Sequence, residues 1–117
     1  GIFVSDAQGN CIYTNAAYHT ISGQTLEQTL GTNWTEAIHP EDREHAVKEW
    51  HAAVNNRQPF LAEVRFVRSD NTLVWTRLNA AAINNSSTNS TQKKPQGYVQ
   101  IVEDIHERKT MEKILRK

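Results

Sequence analysis

The chain has 117 residues, and its 13 basic and 13 acidic side chains give a formal net charge of zero. This length suits one domain with a single modest core, and the balanced charge excludes an overall field that would attract nucleic acid or an anionic membrane. The single cysteine excludes an internal disulfide framework and fits a reducing compartment, and no apolar run approaches the roughly 18 residues that a membrane-spanning helix needs.

The first third of the chain predicts a β-hairpin followed by short helices. Strand-like runs over 2–5 and 11–14 flank a turn in which Gly9 is available for a positive φ. Asn15 and Thr25 then stand where short helices begin, because both are good N-cap residues. We therefore expect two strands and then two short helical pieces in this part of the chain.

A long amphipathic helix follows, from Pro40 to about Asn56. Proline suits the first helical position, and Glu41 and Asp42 suit the positive end of the helix dipole. The apolar side chains recur with a period near 3.6 residues, which predicts one buried face. These side chains are Ala46, Val47, Trp50, Ala53 and Val54.

The second half predicts three further strands. An alternating pattern indicates strands over 60–68 and 73–83, joined by a hairpin turn in which Asn71 takes a position that often needs glycine. The segment 84–96 is rich in Asn, Ser and Thr and is predicted to be a flexible surface loop, and the last strand runs over 97–103. Strands and helices that are segregated in this way predict an α+β domain with an antiparallel sheet covered by helices on one face.

The last strand gives way to a charged helix at Asp104. Asp104 is predicted to be the N-cap of this helix, and Glu107, three residues later, would complete a capping box. Arg108 lies four residues after Asp104 and can pair with it. Because the chain leaves the domain here, we expect Asp104, Glu107 and Arg108 to carry the domain's output.

Short motifs along essentially the whole chain match the pattern of one family. In chain order they are Gly1-Ile2-Phe3 with Asp6 and Gly9, Tyr13-x-Asn15-x-Ala17, Ser22-Gly23, Leu30-Gly31, His39-Pro40-Glu41-Asp42-Arg43, Glu63-x-Arg65, Arg68-x-Asp70, Trp75 and Asp104-Ile105-x-Glu107-Arg108-Lys109. In this order and spacing the sequence resembles a PAS domain with its C-terminal PAC half. The resemblance implies a five-stranded antiparallel sheet with helices on one face, a small cavity between them, and a C-terminal exit helix.

The resemblance also implies a role in signalling. It implies a sensory PAS/PAC domain over residues 1–105 and the start of a signalling linker helix over 106–117. Such a domain would sense a small-molecule, redox or other cue, form a homodimer, and regulate a C-terminal effector of the same chain. The first candidate for that effector is the histidine kinase of a two-component system.

The alternative is a ligand-free dimerisation or protein-interaction module in a diguanylate cyclase or phosphodiesterase. On either interpretation we expect a cytoplasmic domain without direct contact to nucleic acid or membrane. The parent protein would be soluble or membrane-anchored.

Catalytic and cofactor motifs are absent from the sequence. It contains no phosphate-binding glycine-rich loop, nucleophile motif or metal-spaced Cys/His cluster, so the domain itself is predicted to be non-catalytic and to hold no metal. In flavin photosensors of the LOV type, which are PAS relatives, a reactive cysteine stands where this chain has Trp34; Cys11, on a strand, cannot replace it, which excludes a flavin–cysteine adduct. His51, on the long helix, is a weak haem candidate.

A ligand cavity would be lined from the sheet face and the helices. The apolar and aromatic candidates for that lining are Tyr13, Ile21, Trp34, Trp50, Val64, Phe66, Leu78 and Val99. A domain of this size needs most of its apolar side chains to fill the core, so the same residues also fit a ligand-free interior. The sequence leaves the ligand unknown and both alternatives open.

Overall fold

The computed structural model describes residues 1–83 and 96–115. The five strands are β1 (Ile2–Asp6), β2 (Cys11–Thr14), β3 (Phe60–Val67), β4 (Leu73–Ile83) and β5 (Gly97–Asp104). The helices are α1 (Ala16–Ser22), α2 (Leu26–Thr29), α3 (Pro40–Asn56) and α4 (His106–Leu115), with a 3₁₀ helix at Asn33–Ala37. The flexible loop predicted over 84–96 lies, apart from Gln96, outside the described residues. Within those residues, no helix is long and apolar enough to cross a membrane.

The strands form one antiparallel sheet in the order β2-β1-β5-β4-β3. Side chains from α1, α3 and the 3₁₀ helix join inward-facing side chains of the strands in one hydrophobic core. This confirms the predicted α+β class with a five-stranded antiparallel sheet and helices on one face. It also leaves β3 and β2 as the two edges of the sheet.

Local signals in the sequence fix several element boundaries. The Asn15 side chain accepts a hydrogen bond from the backbone N–H of Tyr18 at 3.0 Å, which caps α1 as predicted. Thr25 and Gln28 form a reciprocal capping box at the start of α2. Asn71 has a φ of 68°, so asparagine takes the left-handed position of the β3–β4 hairpin that glycine often fills.

The start of α3 is fastened to the edge strand β3. Asp42 accepts three hydrogen bonds from Arg65, from its backbone N–H at 2.9 Å and from its guanidinium at 3.0 and 2.8 Å. The backbone N–H of His39 donates to the Arg65 carbonyl at 2.7 Å. The hydrogen bonds from Arg65 lower the pKa of the Asp42 carboxyl, so this carboxylate stays charged to lower pH than an unpaired one.

Candidate functional site

Most of the predicted cavity side chains lie in the interior. Five are buried in the core and one packs partly buried against it; they are Trp34, Trp50, Val64, Phe66 and Leu78, and Ile21. Whether any of them contacts a ligand stays a prediction.

Aromatic rings fill the space between the sheet and α3. The indole of Trp50 lies edge-on to the rings of Phe60, Tyr98 and Trp34, with centroid distances of 5.3, 5.6 and 6.0 Å. Its Nε1–H donates to the Gly9 carbonyl at 3.0 Å. Because a buried indole N–H needs an acceptor, this bond fixes the ring in the centre of the core.

Two polar side chains are buried here without a hydrogen-bond partner in the described part of the chain. Gln100, on β5, is fully buried, and neither its amide oxygen nor its amide nitrogen is bonded. The hydroxyl of Tyr18, on α1, is unbonded as well, and burial raises the pKa of Tyr18. Phe3 on β1 is a neighbour of both side chains. It is the register partner of Gln100 on β5, and its ring centroid lies 6.2 Å from that of Tyr18. The interior therefore has hydrogen-bonding capacity that no described residue uses.

The prediction that Tyr13 lines the cavity is wrong, because its side chain is 47% exposed. The register between β1 and β2 shifts at Val4 and Ser5, as in a β-bulge. Tyr13 pairs with Val4 on the outer face of the sheet, while Cys11 and Thr14 turn inward. A bulge inserts one residue into a strand and reverses the alternation beyond it, and simple alternation cannot anticipate this.

The prediction for Val99 is also wrong. On β5 the buried side chains that face the core are Tyr98, Gln100 and Val102, so Val99 and Ile101 lie on the opposite face. Because side chains alternate along a strand, the prediction that Val99 faces the cavity would put its neighbour Gln100 on the outer face. In the structure the amide is buried instead. For the same reason the sequence-based list of interior residues did not include Gln100.

The histidine and cysteine candidates do not form a cofactor site in the interior. His51 is exposed on α3, so the weak haem candidate does not reach the core. Cys11 is buried, and burial raises the pKa of its thiol, as expected for a structural rather than a reactive cysteine. Among residues 1–83 and 96–115, no group of three His, Cys, Asp or Glu side chains is placed to hold a metal ion.

The exit helix begins one residue later than the sequence predicted. The Asp104 carboxylate accepts a hydrogen bond from the backbone N–H of His106 at 2.9 Å, but α4 starts at His106, so the N-cap position falls to Ile105. Glu107 is then the second helical residue, one short of the position that a capping box requires. Arg108 pairs with Glu103 at 3.8 Å rather than with Asp104. The predicted N-cap, capping box and ion pair are therefore corrected, since β5 extends through Asp104.

Lys109, which the sequence analysis named only as the last residue of the PAC-like motif, holds α4 against the sheet. The ammonium of Lys109 lies 2.6 Å from the Glu63 carboxylate on β3 and 5.2 Å from the centre of the Trp75 ring on β4. Nearby, the backbone N–H of Ile105 donates to the Trp75 carbonyl at 3.0 Å. The Trp75 N–H donates to Nδ1 of His106 at 3.3 Å. The motifs around Glu63 and Trp75 belonged to the family resemblance, and their common partner is Lys109.

The contacts of Lys109 belong to a chain of charges across the outer face of the sheet. We call it the exit network: Lys109, Glu63, Arg77, Glu103 and Arg108. Arg77 lies 3.2 Å from Glu63 and 3.9 Å from Glu103, and Glu103 lies 3.8 Å from Arg108. The hydrogen bond from Lys109 lowers the pKa of the Glu63 carboxyl. The exit network thus joins β3, β4 and β5 to the first turns of α4.

Comparison with known proteins identifies the family. A family model described as PAS fold matches residues 11–93, which is more than half of the chain. The chain belongs to the PAS family. The matched region contains the sheet strands β2 to β4 and the helices that cover them, and it ends before the Asp104–Lys109 segment on which the resemblance to a PAC motif rests.

Relatives of this PAS domain occur in signalling proteins. The peroxide stress-activated histidine kinase mak1 of Schizosaccharomyces pombe is 28% identical over 122 residues, an alignment that covers 97% of this chain and 7% of mak1. The PAS domain therefore spans a small fraction of the length of this relative.

Solved structures share its fold. A sensory box histidine kinase/response regulator from Burkholderia thailandensis superposes with a TM-score of 0.70 at 25% identity, covering 99% of this chain and 84% of that one. The N-terminal domain of a diguanylate cyclase with a PAS/PAC sensor from Marinobacter aquaeolei superposes with a TM-score of 0.77, covering 92% and 96% of the two chains. At 17% identity, this second likeness concerns the fold alone.

Proposed function

We propose that this sensory PAS domain passes its signal through the exit network into α4 and from there to a C-terminal effector. On this proposal residues 1–105 are the sensor and residues 106–117 begin the signalling linker. The observation that carries the proposal is the attachment of Lys109 to both Glu63 and Trp75, because it ties the direction of α4 to the positions of two neighbouring strands.

The strength of this attachment suits a switch. Partly exposed ion pairs each contribute about 0.2–1 kcal/mol, and an exposed cation–π contact adds about 0.5–1 kcal/mol. One ion pair and one cation–π contact together give about 0.7–2 kcal/mol. This range overlaps the typical allosteric coupling free energy of about 1–3 kcal/mol. A small movement of β3 against β4 can therefore release or tighten α4, whereas a helix buried in the core would resist it.

The interior supports a small uncharged molecule as the cue. Gln100 offers one donor group and one acceptor, and the Tyr18 hydroxyl can do either, so a ligand with both functions would relieve the cost of burying them unpaired. Because Gln100 lies on β5, which pairs with β4, such a ligand would act on the strand next to the one that carries Trp75.

As the effector we propose a histidine kinase of a cytoplasmic two-component system, and two of the similar proteins support the kinase part of this proposal. Mak1 covers almost the whole chain at 28% identity and is a histidine kinase, and the Burkholderia protein carries that activity in its name. The diguanylate cyclase relationship rests on fold likeness.

A second proposal is homodimerisation through the outer face of the sheet. Ile2 on β1 and Ile101 on β5 are paired neighbours there, and their side chains are 38% and 49% exposed. Exposed apolar neighbours on a sheet are typical of an interaction surface. This surface favours the alternative of a ligand-free dimerisation module, and it is compatible with the sensor as well.

The proposal for signal output is tested in the full-length parent protein. Lys109→Met removes the charge that meets Glu63 and Trp75 and keeps the length of the side chain, so we expect it to change the effector's activity and its response to the cue. Lys48→Met, at an exposed position of α3, is the matched control and should leave both unchanged. Equal activities in the two variants would contradict the proposal.

A further inference from the structure

The edge strand β3 carries unpaired backbone groups over part of its length. The backbone N–H and C=O of Arg65 point away from β4, because they bond with Asp42 and His39. Backbone groups in an antiparallel pair alternate in direction, so those of Glu63 and Leu61 point the same way. In the part of the chain that the structure describes, no hydrogen bond occupies them. The loop before α3 thus covers one end of this edge and leaves the other open.

An open groove runs between this free edge and α3. It has a volume of about 560 Å³ and is lined by Glu41, Asp42 and Glu49 of α3 and by Leu61 and Glu63 of β3, among others. Among the residues that the structure describes, no lysine or arginine lines it. Some of its carboxylates have basic partners that lie beside the groove rather than in its lining. Arg65 pairs with Asp42 and Glu41. Lys109 pairs with Glu63.

Two carboxylates on the α3 wall remain available to a partner. Within the described residues, the basic partner of Glu49 is His45, at 3.9 Å, and that pair carries opposite charges only when the histidine is protonated. Glu41 is 69% exposed although it lies 3.3 Å from Arg65. On the other side of the edge, Leu61 is also 69% exposed, the highest value among the large apolar side chains of the described residues.

We propose that the free edge of β3 binds, as a sixth strand, an extended peptide segment of a partner protein in which basic and apolar side chains alternate. Main-chain hydrogen bonds to Leu61 and Glu63 would supply affinity, as in other cases of β-strand addition. Successive side chains of the added strand point to opposite faces. The basic ones would meet Glu41 and Glu49, and the apolar ones would pack beside Leu61.

A second copy of the chain fits this edge poorly. Two β3 edges that paired with each other would bring two carboxylate-lined walls and two copies of Glu63 together, and like charges opposite each other destabilise a sheet. The electrostatic character of the groove therefore selects a basic partner. The proposed strand shares Glu63 with the exit network, but it uses the backbone of that residue rather than its ion pairs, and the inference does not depend on the proposed output.

The test uses fluorescent seven-residue peptides in which lysine and valine alternate, with anisotropy to measure binding to the 117-residue chain. We expect the lysine peptide to bind at least tenfold more tightly than a peptide with glutamate in place of lysine. N-methylation of the backbone amides on one edge of the peptide should cost at least tenfold. Equal binding of the methylated peptide would overturn the proposal, whatever the behaviour of the protein variants.

Protein variants separate the backbone from the charges. Leu61→Pro removes a backbone N–H that the sheet does not use, and we expect it to weaken peptide binding at least tenfold. Leu61→Ala keeps this N–H, so its affinity for the peptide should stay within threefold of that of the unsubstituted chain. Glu49→Lys should weaken binding severalfold, and Glu44→Lys, on the same helix but outside the groove lining, should not. Unchanged peptide binding by a folded Leu61→Pro variant would overturn the proposal. So would NMR chemical-shift changes, on addition of the peptide, that are confined to another surface of the domain.

Discussion

Replacement of the buried amide of Gln100 tests the description of the interior. Gln100→Leu puts an apolar side chain of similar size in this position. It removes two polar atoms that have no hydrogen-bond partner in the described residues. An unpaired buried polar group costs about 1–3 kcal/mol, so we expect Gln100→Leu to raise the free energy of unfolding of the ligand-free chain by about that amount. Urea unfolding of chain that has been denatured, dialysed and refolded measures this difference.

The control for this prediction is Asn79→Leu. Asn79 is exposed on the neighbouring strand β4, and a surface substitution there should change the free energy of unfolding by no more than about 0.5 kcal/mol. A loss of about 1 kcal/mol or more in Gln100→Leu would refute the reasoning, since it would mean that the amide is hydrogen-bonded in solution. The same substitution is also compared in protein that was purified without refolding. If Gln100→Leu raises the free energy of unfolding less in that preparation than in refolded protein, a molecule bound in the interior uses the amide.

Three further predictions concern the core, the α3 anchor and the outer face. Trp50→Ala should lower the free energy of unfolding by about 3–5 kcal/mol, because it opens the centre of the aromatic core, and a change below about 1 kcal/mol in chemical denaturation would contradict this. Asp42→Asn should cost about 1–3 kcal/mol at pH 7. Because hydrogen bonds from Arg65 lower the folded-state pKa of Asp42, its contribution is present above the unfolded-state pKa of about 4 and is lost as the pH falls through the lowered value. The difference between variant and parent in urea unfolding should therefore shrink as the pH falls below that range, and a pH-independent difference would argue against the ion pair. Ile101→Arg should make a dimer monomeric in light scattering, whereas Asn79→Arg, beside it on the same face, should have a smaller effect; a dimer that tolerates Ile101→Arg uses another surface.

Much of the fold could be predicted from local signals. Alternation in β3 and the 3.6-residue period of α3 each identify an element and its buried face, because one face of each packs on the core. Caps such as Asn15 and turn residues such as Asn71 then mark boundaries, since each satisfies a local requirement of the backbone. The family resemblance also implied the five-stranded antiparallel sheet, whereas the order of its strands came from the structure.

The errors arose where tertiary structure overrides local pattern. A bulge in the first hairpin reversed the orientation of Tyr13, and the burial of Gln100 inverted the apparent faces of β5. Both depend on pairing with distant strands, which alternation within one strand does not contain. The role of Lys109 was missed for a similar reason, because its partners Glu63 and Trp75 lie more than 30 residues earlier in the chain.

The most direct measurement of the central claim is a charge-swap cycle at the Lys109–Glu63 pair in the full-length parent protein. Lys109→Glu and Glu63→Lys each place like charges where the structure has a 2.6 Å ion pair, and the double variant restores opposite charges. The quantity to compare is the effector's activity with and without the cue. Where the cue is unidentified, the effector's constitutive activity is compared instead. We predict that each single variant changes this activity and that the double variant recovers part of it. Recovery is partial because the double variant has no cation over Trp75 and sets a lysine beside Arg77. Independent, additive effects of the two substitutions would contradict transmission through this pair.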